Sequence, residues 1–269
     1  MFTHPDIKSF EPTPYEYPRG YFDIQYQFAQ EVVRIGITPD IPTAVAKYTS
    51  IPRRLFGKDY VLPSNWPDLC HSSTVIWNTY TKENAHFFVS PEPINDGCHH
   101  GSFIYKPYPD TDLIIDRPTG LQKMELHFNN HRGHVGEYSR SNLSTLTTNL
   151  SDLFQSVADR KKADPNFRPE VVTLGSWMNN FTGIQQALPS EFVDSSVVVR
   201  PPNLSFAGDS LWGQFLTNNA GINKQYYQHF SEKIATAADI NDLVDAFPMP
   251  VLFSRSIIKP FFDKYQTKL

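Results

Sequence analysis

The chain has 269 residues, of which 40% are hydrophobic and 14% aromatic, and its 24 Lys plus Arg against 28 Asp plus Glu leave a formal net charge of -4. That balance provides no basic field for phosphates, so nucleic acid is not expected as a main partner. Two cysteines, Cys70 and Cys98, are too few for a disulfide scaffold. Residues 1–10 lack the apolar run of a secretory leader, and no apolar stretch approaches the roughly 20 residues that span a bilayer. A cytoplasmic protein with no membrane partner is the expectation.

Residues 1–20 read as an extended arm, because the Pro and Tyr-rich run from Glu11 to Gly20 is incompatible with a helix; its aromatics would be anchors. Residues 21–269 then read as one α+β domain with a helical C-terminal part. Ile24, Phe28, Val32 and Ile35 recur at helical spacing, and Gly36 supplies the stop. Pro42 opens a second helix with Ala44, Val45 and Tyr48 on its apolar face, Pro52 limits it, and Pro63 to Asp68 reads as a loop.

Thr74 to Tyr80, Ala85 to Val89 and Ser102 to Tyr105 are rich in β-branched and aromatic residues and are expected as strands. Leu121 to Phe128 alternates, with Met124, Leu126 and Phe128 on one face and Lys123, Glu125 and His127 on the other. Residues 129–136 form a turn rich in His and Gly. A long helix follows, with Leu143, Leu146, Leu150, Leu153, Phe154 and Val157 on one stripe, a cap at Ser139 or Ser141, and Arg160 to Lys162 at its C-terminal end.

Glu170 to Leu174 reads as a strand ended by a turn at Gly175, and a short helix closed by Pro189 comes next. Ser195 to Val199 is a further strand, stopped by Pro201 and Pro202. Helical spacing recurs in Leu211 to Leu216, Tyr226 to Ile234 and Ile240 to Phe247. The fold expected is a central, mainly antiparallel sheet flanked by helices.

Chemistry concentrates at the join of strand and helix near residue 128, where free backbone N–H groups and the helix dipole favour an anion. Glu125 and His127 lie two apart on one strand face and can act together. Gly133 and Gly136 allow close backbone approach, and Arg132 adds a fork of donors for a phosphate. His127, His131 and His134, with a second group at Cys98, His99 and His100, could instead ligate a metal, although no His-Glu-x-x-His framework is present. Ser176 lacks the Gly-x-Ser-x-Gly of a nucleophile elbow and reads as structural. Asp110, Asp112 and Asp116 read as a solvated turn, and Trp177 and Trp212 as core or pocket-wall aromatics.

The segments Tyr21 to Gln25, Gly175 to Asn180 and Leu211 to Phe215 resemble motifs of a family of uncharacterised bacterial proteins. The order of two helices, antiparallel meander, helix, strand and helix is similar to the acetyl-CoA-dependent N-acetyltransferase superfamily. That superfamily binds the cofactor pyrophosphate on a Gln/Arg-x-x-Gly-x-Gly/Ala turn. Asn130 and Gly133 stand at the first two places here, while Val135 takes the last and Gly136 falls one residue late. The resemblance implies acetyl-CoA or another acyl-CoA held by Arg132, Gly133, His134 and Gly136. It also implies Glu125 or His127 as the base for a small-molecule or peptide amine. It calls for a general acid, often Tyr, near the following helix, and no Tyr lies between Gly175 and Pro189. Two other readings are a metal-dependent hydrolase built on His127, His131 and His134, and a non-enzymatic module binding a small-molecule ligand.

Overall fold

Helical apolar spacing governs the N-terminal part of the chain. In the computed structural model, residues 17–57, 60–83, 98–100, 103–109, 121–128, 143–217 and 221–267 are described. Helices α1 (Arg19–Arg34), α2 (Ile41–Tyr48), α3 (Ile51–Phe56), α4 (Trp66–Leu69) and α5 (Ser73–Glu83) come first. The meander β1 (Cys98–His100), β2 (Phe103–Pro109) and β3 (Gln122–Phe128) follows, then α6 (Leu143–Ala163) and β4 (Pro169–Ser176). Next come a 3-10 turn at Trp177–Asn180, α7 (Thr182–Ala187), α8 (Ser190–Asp194), β5 (Val197–Val198) and α9 (Asp209–Trp212), which runs into a second 3-10 turn at Gly213–Phe215. The chain continues through α10 (Lys224–Ile234), α11 (Ile240–Asp245), β6 (Leu252–Ile257) and α12 (Lys259–Lys264).

The α+β expectation holds: helices flank a sheet of order β1-β2-β3-β4-β6-β5, with every neighbouring pair antiparallel except β3 and β4. One face of this sheet is apolar. Phe103, Tyr105, Met124, Leu126, Val172 and Leu174 are buried there. They pack on the α6 stripe, where Leu146, Leu150, Leu153, Phe154, Val157 and Ala158 are all buried, as its spacing requires. Phe154 stacks on Phe261 at 4.6 Å and on Tyr265 at 5.6 Å between centroids. Helix α12 is further held by the Tyr265 hydroxyl and the Lys264 ammonium, which donate to Ala187 O and Leu188 O at the end of α7.

A second apolar cluster joins the N-terminal helices to the segment from Val199 to Phe253. Phe28, buried as its spacing predicts, meets Trp212 edge-on at 5.3 Å, and Phe230 and Phe247 pack around them. Helix α1 ends as its glycine demands. Gly36 takes φ 77°, its N–H donates to Val33 O, and the Ile37 N–H donates to Val32 O. At the other end, the arm's Tyr17 is buried and its N–H donates to the Tyr80 hydroxyl at 3.1 Å. Gln25 crosses the cluster as a polar tie. Its Nε2 donates to Tyr21 O, and its Oε1 accepts from the backbone N–H of Ser50 at 2.7 Å.

Several expectations are overturned. Thr74 to Tyr80 belongs to helix α5, because Ile76 and Tyr80, four residues apart, are both buried while Ser72 Oγ accepts from the Val75 N–H at the helix entrance. Arg19 and Gly20 open α1 instead of extending the arm, and Pro52 sits in the first turn of α3, where its missing N–H costs nothing. The loop expected at Pro63 to Asp68 contains the start of α4. Gly175 makes no turn, since β4 runs on through Ser176. The C-terminal part, expected to be helical, contributes β6, which lies between β4 and β5. Ala85 to Val89 and the carboxylates Asp110, Asp112 and Asp116 lie outside the described residues.

Cys70 is buried and reduced, and burial, aided by the Asp40 carboxylate, pushes its thiol up to about 12. An unfolded thiol ionises near 8.5, so above that pH the unfolded chain sheds a proton that the folded chain keeps. The stabilisation is complete below about pH 8.5 and falls by up to about 1.4 kcal/mol per pH unit as pH rises toward the folded value. Urea unfolding at pH 8 and pH 9.5 should show this loss in the native sequence and a flatter profile in Cys70→Ala.

Candidate functional site

The second face of the sheet is polar where β3 crosses it. Lys123 and Glu125 pair in register with Val171 and Thr173 of β4, which pair in turn with Ile257 and Arg255 of β6. Lys123 is buried, Glu125 and His127 are partly exposed, and Glu125 Oε1 lies 3.5 Å from His127 Nε2. The strand alternation thus brings together the proposed Glu125 and His127 on one face. Arg132, Gly133, His134 and Gly136 lie outside the described residues, as do His131 and the capping Ser139 and Ser141. Cys98, His99 and His100 form β1. Among the described residues, no group of three His, Cys, Asp or Glu comes together in a way that could hold a metal.

Beside Glu125 the sheet opens. The pairing of β3 with β4 ends at Glu125 and Thr173, although β3 goes on pairing with β2 as far as Phe128 and β4 with β6 as far as Ser176. Among the described residues the two parallel strands form no ladder pair beyond that point. A cleft of about 190 Å³ lies on the same face, with Lys123, Glu125, Thr173 and Gly175 as its floor. Its walls are apolar at Val199, Leu204, Val251 and Phe253, and Asn203 and Ser205 add polar groups. The Thr173 side chain is buried and its Oγ1 has no hydrogen-bond partner among the described residues. A buried hydroxyl in that condition costs about 1–3 kcal/mol until something meets it.

Two of the three segments singled out in the sequence, Gly175 to Asn180 and Leu211 to Phe215, brace the cleft's wall. Ser176 Oγ accepts from the Met178 N–H and so starts the 3-10 turn, a structural role as expected. From that turn Asn179 Nδ2 donates to Leu174 O and Leu252 O, and Asn180 Nδ2 donates to Pro250 O at 2.9 Å. Gln214, from the other segment, is buried. Its Oε1 accepts from the Met249 N–H at 2.8 Å and its Nε2 donates to Met249 O. Three carboxamides therefore fix residues 249–252, immediately around Val251 and ahead of Phe253. Trp212 is fully buried, with its Nε1–H donating to Phe206 O at 2.8 Å, which is the core role expected of it. Sequence reasoning missed Thr173, Gly175 and the wall residues. The available signal was a glycine inside a β-branched run, a position where something approaches the backbone closely.

Comparison of the chain with protein-family models, with curated proteins and with solved structures finds no match. No helix among the described residues is long and apolar enough to cross a membrane.

Replacing Gln214 by Met keeps the volume but leaves the partly buried Met249 N–H without its acceptor. Gln214→Met should lower unfolding stability by about 1–3 kcal/mol, and hydrogen exchange should quicken at Met249 while amides of α6 keep their protection.

Proposed function

We propose that the chain is an acyl-CoA-dependent acyltransferase acting on a small-molecule or peptide amine. The observation that carries this reading is the parting of β3 and β4 directly beyond Glu125 and Thr173. Parted parallel strands present backbone edges to an extended ligand, and the amide-bearing arm of an acyl-CoA fits that kind of recognition, in which main-chain hydrogen bonds supply affinity. Arg132, Gly133, His134 and Gly136, between β3 and α6, would hold its pyrophosphate through backbone N–H groups and a guanidinium.

When bound, the acyl-CoA supplies an activated acyl carbonyl and a thiol leaving group. Glu125 takes the proton from the ammonium form of the acceptor and so exposes the nitrogen lone pair for attack. His127, 3.5 Å away across the strand face, passes that proton onward to solvent. The balance is one amide formed and one thioester cleaved, with the thiol carrying away a proton.

Calorimetry with acetyl-CoA and a thiol-release assay over a panel of amines test the reading. Glu125→Gln should lower kcat by about 10²–10⁴-fold with the acetyl-CoA Kd unchanged, and Arg132→Ala should weaken acetyl-CoA binding about tenfold. Absence of acetyl-CoA binding to the native chain overturns the proposal.

A further inference from the structure

We infer that the cleft between Glu125 and Phe253 binds a small aliphatic amino acid. Three observations define such a ligand. The floor carries charges of both signs, Lys123 and Glu125, two residues apart on one strand face, which match a carboxylate and an ammonium on the same small molecule. The walls are aliphatic and aromatic, at Val199, Leu204, Val251 and Phe253, which suits an apolar side chain of a few carbons. The volume of about 190 Å³ is below the range of about 300–1,000 Å³ usual for drug-sized or nucleotide ligands, so a nucleotide does not fit.

Two further details set this cleft apart from a surface groove. Thr173 lines it with a hydroxyl oxygen that is buried and has no partner among the described residues, a group that a bound polar ligand would satisfy. Gly175, the penultimate residue of β4, is exposed in the cleft, and a Cβ there would meet only Phe253 Cδ2 at an ordinary 3.7 Å. Neither crowding nor a positive φ asks for glycine at that position. A strand interior without a side chain is weaker than one with it, so the bare position serves the space beside it. If the proposed acyl transfer is right, the amino group of this ligand is the acceptor, and that one step rests on the acyltransferase reading.

The test is titration of the full chain with L-leucine, glycine and N-acetyl-leucine, with acetyl-CoA in a separate arm. Leucine should bind with a Kd of about 1 mM or tighter, and glycine and N-acetyl-leucine at least about tenfold more weakly, one lacking the apolar body and the other the charge. Thr173→Val should weaken leucine binding about tenfold while leaving the melting temperature equal or higher, since it removes a buried hydroxyl without a partner. A merely structural threonine would instead lose stability. Gly175→Val should abolish leucine binding, and Gly175→Ala is the milder form should the valine variant fail to fold. No leucine binding to the native chain, equal binding of glycine and leucine, or binding indifferent to filling at Gly175 overturns the inference. Leucine binding without acetyl-CoA binding removes only the acyl-transfer reading, and the reverse result removes only the amino-acid ligand.

Discussion

Carboxamides of Gln214, Asn180 and Asn179 meet the backbone of Met249, Pro250 and Leu252, and the placement of β6 depends on that attachment. Buried peptide groups must find partners, and a segment entering a sheet between two other strands has little freedom to find them by itself. The three side chains come from two short 3-10 turns that precede the segment by many residues. The first turn is fastened by its own bonds, the Met178 N–H to Ser176 Oγ and Gln185 Nε2 to Asn179 O, and in the second Gln214 Nε2 also donates to Leu211 O. A polar tie of this kind fixes register, because a shifted strand would break several of these directed bonds at once.

Once β6 is fixed, the sheet has two unlike faces. The α6 side is continuous apolar packing, with serines 254 and 256 on β6 where α8 and neighbouring turns approach. The opposite side changes character from one row to the next: Glu125, Thr173 and Arg255 form a polar row, and Gly175 with Phe253 beside it an apolar one. The cleft forms at that change of character. It also borders the point where β3 and β4 separate, so the parts needed for a polar reaction beside an apolar pocket occur within one strand spacing of each other.

Regular amphipathic elements were legible in the sequence. The α6 stripe, the α1 face with its Gly36 stop, and the alternation of β3 bury most of the residues that their periods select, Leu143, Ile35 and Phe128 at their ends being half-buried, because burial of one face is what stabilises them. Thr74 to Tyr80 misled because Thr, Val, Ile, Trp and Tyr favour strands individually, while the burial of Ile76 and Tyr80 obeys a helical period. Strand β6 escaped notice because Leu252 to Ile257 includes two serines and an arginine and sits among helices. Its alternation of Phe253 and Ile257 with serines was the available sign. For the site, Glu125 and His127 were readable from strand geometry alone. The carboxamide ties and Thr173 were not, since nothing in a single sequence distinguishes a buried Asn, Gln or Thr from one in water.

The position of β6 also shapes how the protein acquires its structure. Ser196, at the head of β5, meets Ser254 only across 58 residues of chain. Until the later segment arrives, β4 has an unclaimed flank and β5 has no neighbour at all, with Val197 and Val198 turned partly toward solvent even in the finished molecule. Assembly is therefore non-local at its last stage. A chain in which β6 has yet to dock carries bare strand edges, a condition that slows folding and invites association with other chains.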